Sequence, residues 1–218
     1  MISLLALLAG FLMDLLIGDP HFLYHPVRLV GALISFLEKV IRKIFPKTEK
    51  GELAGGTLMA VLVMAVTTAV PALLLYFAGL WCVQARFVVE MILCYWLLAT
   101  KSLKDESMKV YDKLAAGDVE GSRYAVSMIV GRDTAVLDEK GVTKAAVETV
   151  AENTSDGIIA PMLFMAIGGA VFGWFYKSLH TMASLVGFQH DKHLYFGPFA
   201  PNIDAVAMFI PALISGLP

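Results

Sequence analysis

The stretch AVETVAENTSDGIIAPMLFMAIGGAVFGWF, Ala146 to Phe175, joins a charged helix pattern directly to membrane-like chain. Its first half carries Glu148, Glu152 and Asp156 at four-residue spacing. In a helix that spacing sets all three on one face. Like charges so placed repel by roughly a few tenths of a kcal/mol per pair. Something positive is therefore expected opposite them: a metal ion, a basic side chain or salt water. Gly157 to Tyr176 then runs 20 residues without a charge, enough for one span. Pro161 and the pair Gly168-Gly169 interrupt it, which favours a broken or re-entrant segment over a plain crossing.

Composition extends this reading to the whole chain. Of 218 residues, 58% are hydrophobic and only 17% are charged. Soluble domains are about half apolar and about a quarter charged, so this is a polytopic integral membrane protein in the lipid bilayer. No strand pattern of any length occurs, and the fold class is all-α. Net charge is −2 and no basic stripe alternates with aromatics, which argues against nucleic acid. Cys82 and Cys94 are twelve residues apart in apolar surroundings, neither a metal nor a redox spacing. No GxxxxGK[ST] sequence is present, so there is no P-loop.

We read one membrane domain over 1–218, with membrane segments near 1–16, 53–76, 80–100, 157–176 and 205–218. The first lacks a basic leader and a small-x-small site, so it reads as a membrane segment rather than a cleaved signal. Asp14 lies inside it, and an ionisable residue at that depth is a functional candidate by default. Leu53 to Ala85 is uncharged for 33 positions, more than one span, so a turn is expected near Tyr76–Gly79. Arg86 and Glu90, four apart, can pair on one helical face. Lys39, Arg42, Lys43, Lys47 and Lys50 put their segment on the cytoplasmic side. The region 101–156 reads as a helical cytoplasmic insertion, with Asp118 capping its second helix and Thr143 capping its third.

Four polar clusters can carry chemistry. Asp14, Asp19, His21, His25 and Arg28 form the first. His21 and His25 have the spacing of zinc ligands, but Pro20 and Pro26 deny them a regular helix, which argues against zinc. Arg132 and Asp133 in VGRDT form the second, and a guanidinium beside glycine suits an oxyanion. The acidic row with Asn153 forms the third. Glu152, Asn153 and Asp156 straddle a helix end and suit a hard cation such as Mg2+, although a solvated helix face explains the spacing as well. Leu179 to Gly197 holds the fourth.

The motifs DLLIGDPHFLYHPVRLVG, ATKSL, VSMIVGRDT and AAVETVAENTSDGIIAPMLFMAIGGA occur in that order. Together they resemble the signatures of the adenosylcobinamide-phosphate synthase (CobD/CbiB) family of cobalamin biosynthesis. The resemblance runs from Asp14 to about Gly216. It implies a multi-pass protein of the cell membrane that joins adenosylcobyric acid to (R)-1-amino-2-propanol O-2-phosphate, or a related amino-alcohol, through an amide. ATP is consumed with Mg2+, and other cobalamin-assembly enzymes are expected partners. It also implies that Asp19, His25, Arg28, Arg132, Asp133 and Asn153 bind substrate and phosphate. Glu148, Glu152 and Asp156 would be catalytic, with Glu152 and Asp156 on the metal. Which carboxylate deprotonates the amine stays open.

Departures from the family pattern follow Tyr176. HTMASLVGF stands where the family reads NTMDSMVGY, which places His180 and Ala183 at an Asn and an Asp position. Asn202, Ala205, Met208 and Leu213 stand at usual Arg, Asp, Asn and Arg positions, and family members continue beyond residue 218. The alternative reading is a non-catalytic membrane homologue that binds a corrinoid or a partner enzyme. A transporter fits less well, because no inverted repeat is visible. A cysteine placed at Lys192 is expected to be labelled from the cytoplasmic side. Labelling only from outside would show that 157–176 crosses.

Overall fold

A computed structural model describes residues 2–20, 25–187 and 196–216. Among them are α1 (Ile2–Ile17), α2 (Pro26–Ile44), α3 (Glu49–Trp81), α4 (Val83–Tyr95), α5 (Thr100–Ala115), α6 (Val119–Ser127) and α7 (Glu139–Thr154). A π turn (Ser155–Ile159), α8 (Ala160–Val186) and α9 (Phe199–Ser215) complete the order, with no strand among the described residues. His21 and Lys192 lie outside the described residues.

Helices α1, α3, α4, α8 and α9 share one apolar core that includes Met59, Val63, Leu97, Met165, Leu179 and Met182. Their outer faces are also apolar: Leu4, Leu8 and Leu12 of α1, Leu73 and Phe77 of α3, and Phe209 and Ile210 of α9 are all exposed. Water would reject so much contiguous apolar surface, and lipid accepts it. The stretches Glu49–Trp81, Val83–Ala115 and Glu139–Val186 are long and apolar enough to cross a membrane by length and composition. A second, smaller core of Val110, Val126, Val142 and Ala145 holds α5, α6 and α7 together.

The third of those stretches is not a single rod. Asp156 and His180 are 24 residues apart, which is about 36 Å along a straight helix. Yet His180 Nε2 lies 3.3 Å from Asp156 Oδ2. The Tyr176 hydroxyl also donates to the Asp156 carbonyl at 3.0 Å, and the Phe164 and Tyr176 rings stack at 4.9 Å. The chain therefore enters along 160–167, reverses at Gly168-Gly169, and returns along 170–186. Gly169 has φ 66° and ψ −164°, a region essentially closed to side-chain-bearing residues. Gly173 faces Met165 across the two arms, where a Cβ would come within 2.6 Å of Met165 Cγ.

A reciprocal clasp joins α1 to α5. The α5 N-cap, Ala99, supplies no side-chain cap. Asp14 of α1, fully buried, accepts from the Thr100 amide at 2.8 Å in its place. In return, Lys101 Nζ donates to the Leu16 carbonyl at 3.0 Å, and the Tyr95 hydroxyl donates to the Gly18 carbonyl. Orphan amides at one helix start and orphan carbonyls at one helix end are thus satisfied together. Asp14, a functional candidate by its depth, serves here as a cap.

Several boundaries differ from expectation. The α3–α4 turn falls at Cys82, not at 76–79, because Cys82 is extended and its Sγ accepts from the Ala85 amide, capping α4. The second arm ends at Tyr95 rather than near 100, where the Asp14 cap restarts the helix as α5. Asp138, not Thr143, caps α7, accepting from the Gly141 amide at 2.8 Å. Arg86 and Glu90 make no ion pair among the described residues: Arg86 is exposed, whereas Glu90 is 2% exposed. Asp118 caps α6 as its position predicts.

Substitution of Gly169 by Ala forces a Cβ to within 2.5 Å of Glu90 Oε1 at a backbone angle only glycine tolerates. It is expected to cost at least about 1–3 kcal/mol. Thermal unfolding in detergent should show a lowered midpoint for this variant. Gly131→Ala, where a Cβ meets nothing within 4 Å, should leave the midpoint unchanged.

Candidate functional site

Where the hairpin's two ends meet, a cleft of about 270 Å³ opens. Its walls include Ser102 and Glu106 from α5, Asn153 from α7, Asp156 from the π turn, and Lys177 and His180 from the returning arm of α8. Apolar chain holds each polar group in place: Tyr176, fully buried, anchors the turn before Lys177.

His180 bridges two carboxylates. Its Nε2 is 3.3 Å from Asp156 Oδ2 and its Nδ1 is 3.2 Å from Asp204 Oδ2. Only the doubly protonated ring can donate to both. Asp204 Oδ1 is buried without a hydrogen-bond partner. Beside the cleft, Ser102 Oγ donates to Asp19 Oδ2 at 2.9 Å and accepts from the Asp19 amide at 3.1 Å. His25 Nε2 stands 3.5 Å from Asp19 Oδ1. The other ring nitrogen, Nδ1, accepts from the Val27 amide, which caps α2 and puts the His25 proton on Nε2, facing Asp19. Burial pushes the Asp19 carboxyl up, but the hydrogen bonds from His25 and Ser102 outweigh it and hold Asp19 below its usual range.

The structure divides the acidic row. Successive members of an i, i+4, i+8 series drift by about 40° each, so the ends of the row diverge by about 80°. Glu148 points away from the cleft, pairing with Arg132 Nη2 at 2.7 Å and with Lys144 Nζ at 3.6 Å. The Arg132 guanidinium holds its carboxyl below the usual range. Glu152 is exposed and does not line the cleft. Asp156 alone of the three does so, with Asn153, whose amide donates to the Thr149 carbonyl at 2.9 Å. Asp133 closes its own loop by accepting from the Ala135 amide at 2.9 Å. Arg28 lies on an exposed face of α2, outside the cleft walls.

No group of three His, Cys, Asp or Glu side chains converges as a metal cage among the described residues. Expectation paired Glu152 with Asp156 on a metal; of the two, only Asp156 lines the cleft. The sequence reading passed over Lys177, Ser102 and Asp204 as site residues. Ser102 lies inside the ATKSL motif, which was its signal. Lys177 and Asp204 flank long apolar runs, where a single charge reads as the end of a segment.

The fold and the site define an all-α membrane protein with a polar cleft at the open end of a helical hairpin folded back at Gly168-Gly169. A sequence model described as CobD/Cbib protein matches residues 7–218. The chain is 41% identical to the Cobalamin biosynthesis protein CobD of Clostridium tetani, over 99% of this chain and 67% of that protein. It is 43% identical to the protein of the same name from Geobacter metallireducens, over 96% of this chain and 65% of that one. A third such relative, from Klebsiella pneumoniae, is 39% identical over 99% of this chain. The chain belongs to the CobD/Cbib family, and it spans about two thirds of the length of these relatives. No solved structure matches it.

Removing the His180 ring leaves Asp156 and Asp204 facing each other. His180→Ala is expected to destabilise the protein by about 2–4 kcal/mol, read as a lowered unfolding midpoint. Adding Asp204→Asn to that variant should restore part of the loss, because the repulsion is gone. A double variant no more stable than His180→Ala would show that the bridge is not what holds α9 to α8.

Proposed function

We propose that the chain forms the amide bond between adenosylcobyric acid and (R)-1-amino-2-propanol O-2-phosphate, or a related amino-alcohol, giving adenosylcobinamide phosphate at the expense of ATP. One observation carries the reading. The family match covers residues 7–218, and the motifs inside it supply Asp19, Ser102, Asn153 and Asp156 to one polar region. A multi-pass position in the cell membrane goes with it.

The chemistry is that of an unreactive acid. A carboxylate does not acylate an amine in water. Attack of the corrinoid carboxylate on the γ-phosphorus of ATP would expel ADP and leave an acyl phosphate. The amine would then attack the acyl carbon, expel inorganic phosphate and lose one proton. Both steps need stabilisation of phosphoryl charge and a base for the amine. Mg2+ commonly takes one or two protein carboxylates together with substrate phosphates, and Asp156 and Asn153 offer oxygen donors of the right kind on the cleft wall. When bound, such an ion would supply charge neutralisation. Asp19, kept ionised by His25 and Ser102, is suited to holding the substrate ammonium by charge rather than to taking its proton. Arg28 and Arg132, outside the cleft, are suited to the larger substrates rather than to the reacting atoms.

A second reading rests on a specific observation: His180 fills the space between Asp156 and Asp204, and Ala183 lacks the carboxylate expected of the family pattern. A chain so altered would bind a corrinoid or a partner enzyme without turnover. Incubating the purified protein with adenosylcobyric acid, aminopropanol phosphate, ATP and Mg2+ separates the two. Formation of the amide with one ADP per product supports the ligase. Corrinoid binding without product supports the second reading. Given activity, Asp156→Asn should lower kcat/KM by about 100-fold or more, whereas Glu148→Gln, which alters an exposed pair, should lower it about fivefold or less.

A further inference from the structure

Lys177 stands out because it is charged, enclosed and uncommitted. It follows immediately after the 20 uncharged residues 157–176, one turn before His180. Among the described residues it is the one Lys or Arg on the cleft's walls, and it is partly buried. Its ammonium makes no hydrogen bond or ion pair among the described residues. Asp156 and Asp19 lie within electrostatic range of it. Each already has other partners: Asp156 with His180, and Asp19 with His25 and Ser102. A partly buried ammonium on a cleft wall, beside carboxylates that already have other partners, is placed to take an anion from the cleft.

We infer that Lys177 anchors a phosphate monoester in this cleft. Lysine binds phosphate as a point charge, without the fixed fork of arginine. The cleft's size restricts what enters. About 270 Å³ lies at the lower edge of pockets that hold drug-sized ligands. It suits a small phosphorylated amine, whereas a corrinoid ring is far too large to enter whole. Electrostatics restrict it too. Glu106 is paired with Lys109 at 2.6 Å, and Asp156 and Asp204 share the one His180 imidazolium, so the Lys177 ammonium is what offsets the remaining negative charge. Without Lys177 the balance is negative and the dianion is excluded.

The inference rests on the ligase reading for its substrate, and the phosphate has two sources: the amino-alcohol phosphate or the terminal phosphate of ATP. The test uses the full chain in detergent and calorimetric binding of three probes: aminopropanol phosphate, unphosphorylated aminopropanol and ATP with Mg2+. The wild type should bind the phosphate ester and not the free amino-alcohol. Lys177→Gln should weaken the ester at least tenfold, and Lys177→Arg, which keeps the charge, should weaken it less. A loss confined to ATP would keep the phosphate anchor and assign it to the nucleotide. As a control that needs no variant, aminopropanol phosphate or ATP should protect Lys177 of the wild type from amine acylation, read by peptide mass spectrometry. Unchanged affinity for both phosphates in Lys177→Gln, or no protection by either, overturns the inference. If that happens while the wild type still makes the amide, the ligase reading survives. If the wild type binds neither phosphate and makes no product, both fall.

Discussion

The reversal at Gly168-Gly169 is the constraint on which the polar cleft depends. A straight helix through 156–180 would carry Asp156 and His180 about 36 Å apart. Folding back at a position that only glycine can occupy brings them to 3.3 Å. The backbone at the tip has to satisfy its polar groups inside protein, because lipid offers none. The tip packs against α1 and α4, with Ser3 and Glu90 nearest to Gly169. The hairpin also settles which polar segments can cooperate, since both of its ends open on one side.

The cleft is assembled by elements that are individually ordinary. The clasp between α1 and α5 fixes Asp19 beside Ser102, through Asp14 on Thr100 and Lys101 on Leu16. The π turn carries Asp156 out of the solvent-facing row of α7 and against α8. Then α9 contributes Asp204, which shares His180 with Asp156. Charges so placed are not solvated individually. Among the described residues most are paired with a neighbour, whereas Lys177 interacts with Asp156 and Asp19, which have other partners.

His180 gives this chain its own electrostatic character. The family pattern places a neutral amide at this position, whereas here an imidazolium joins two acids. It tightens α8 against α9 and reduces the negative charge that the cleft presents to phosphate. The same bridge occupies carboxylate oxygens that would otherwise be free for a cation.

Much was legible in the sequence because it follows from composition and local period. The absence of strands, the long apolar runs, Asp118 as a cap and the break at Gly168-Gly169 all arise from residues close together in the chain. The family motifs likewise pointed to Asp19, Asn153 and Asp156. The acidic row misled, because four-residue spacing describes a face only for about two turns, and neither helical drift nor the π turn shows in residue types. Asp14 looked functional because depth in the membrane is readable, while its partner, a backbone amide 86 residues away, is not. Lys177 looked like the end of a segment. Only the tertiary structure shows it inside a cleft, because enclosure is a property of the groups that gather around a side chain from α5, α7 and the returning arm of α8, and no local stretch contains them.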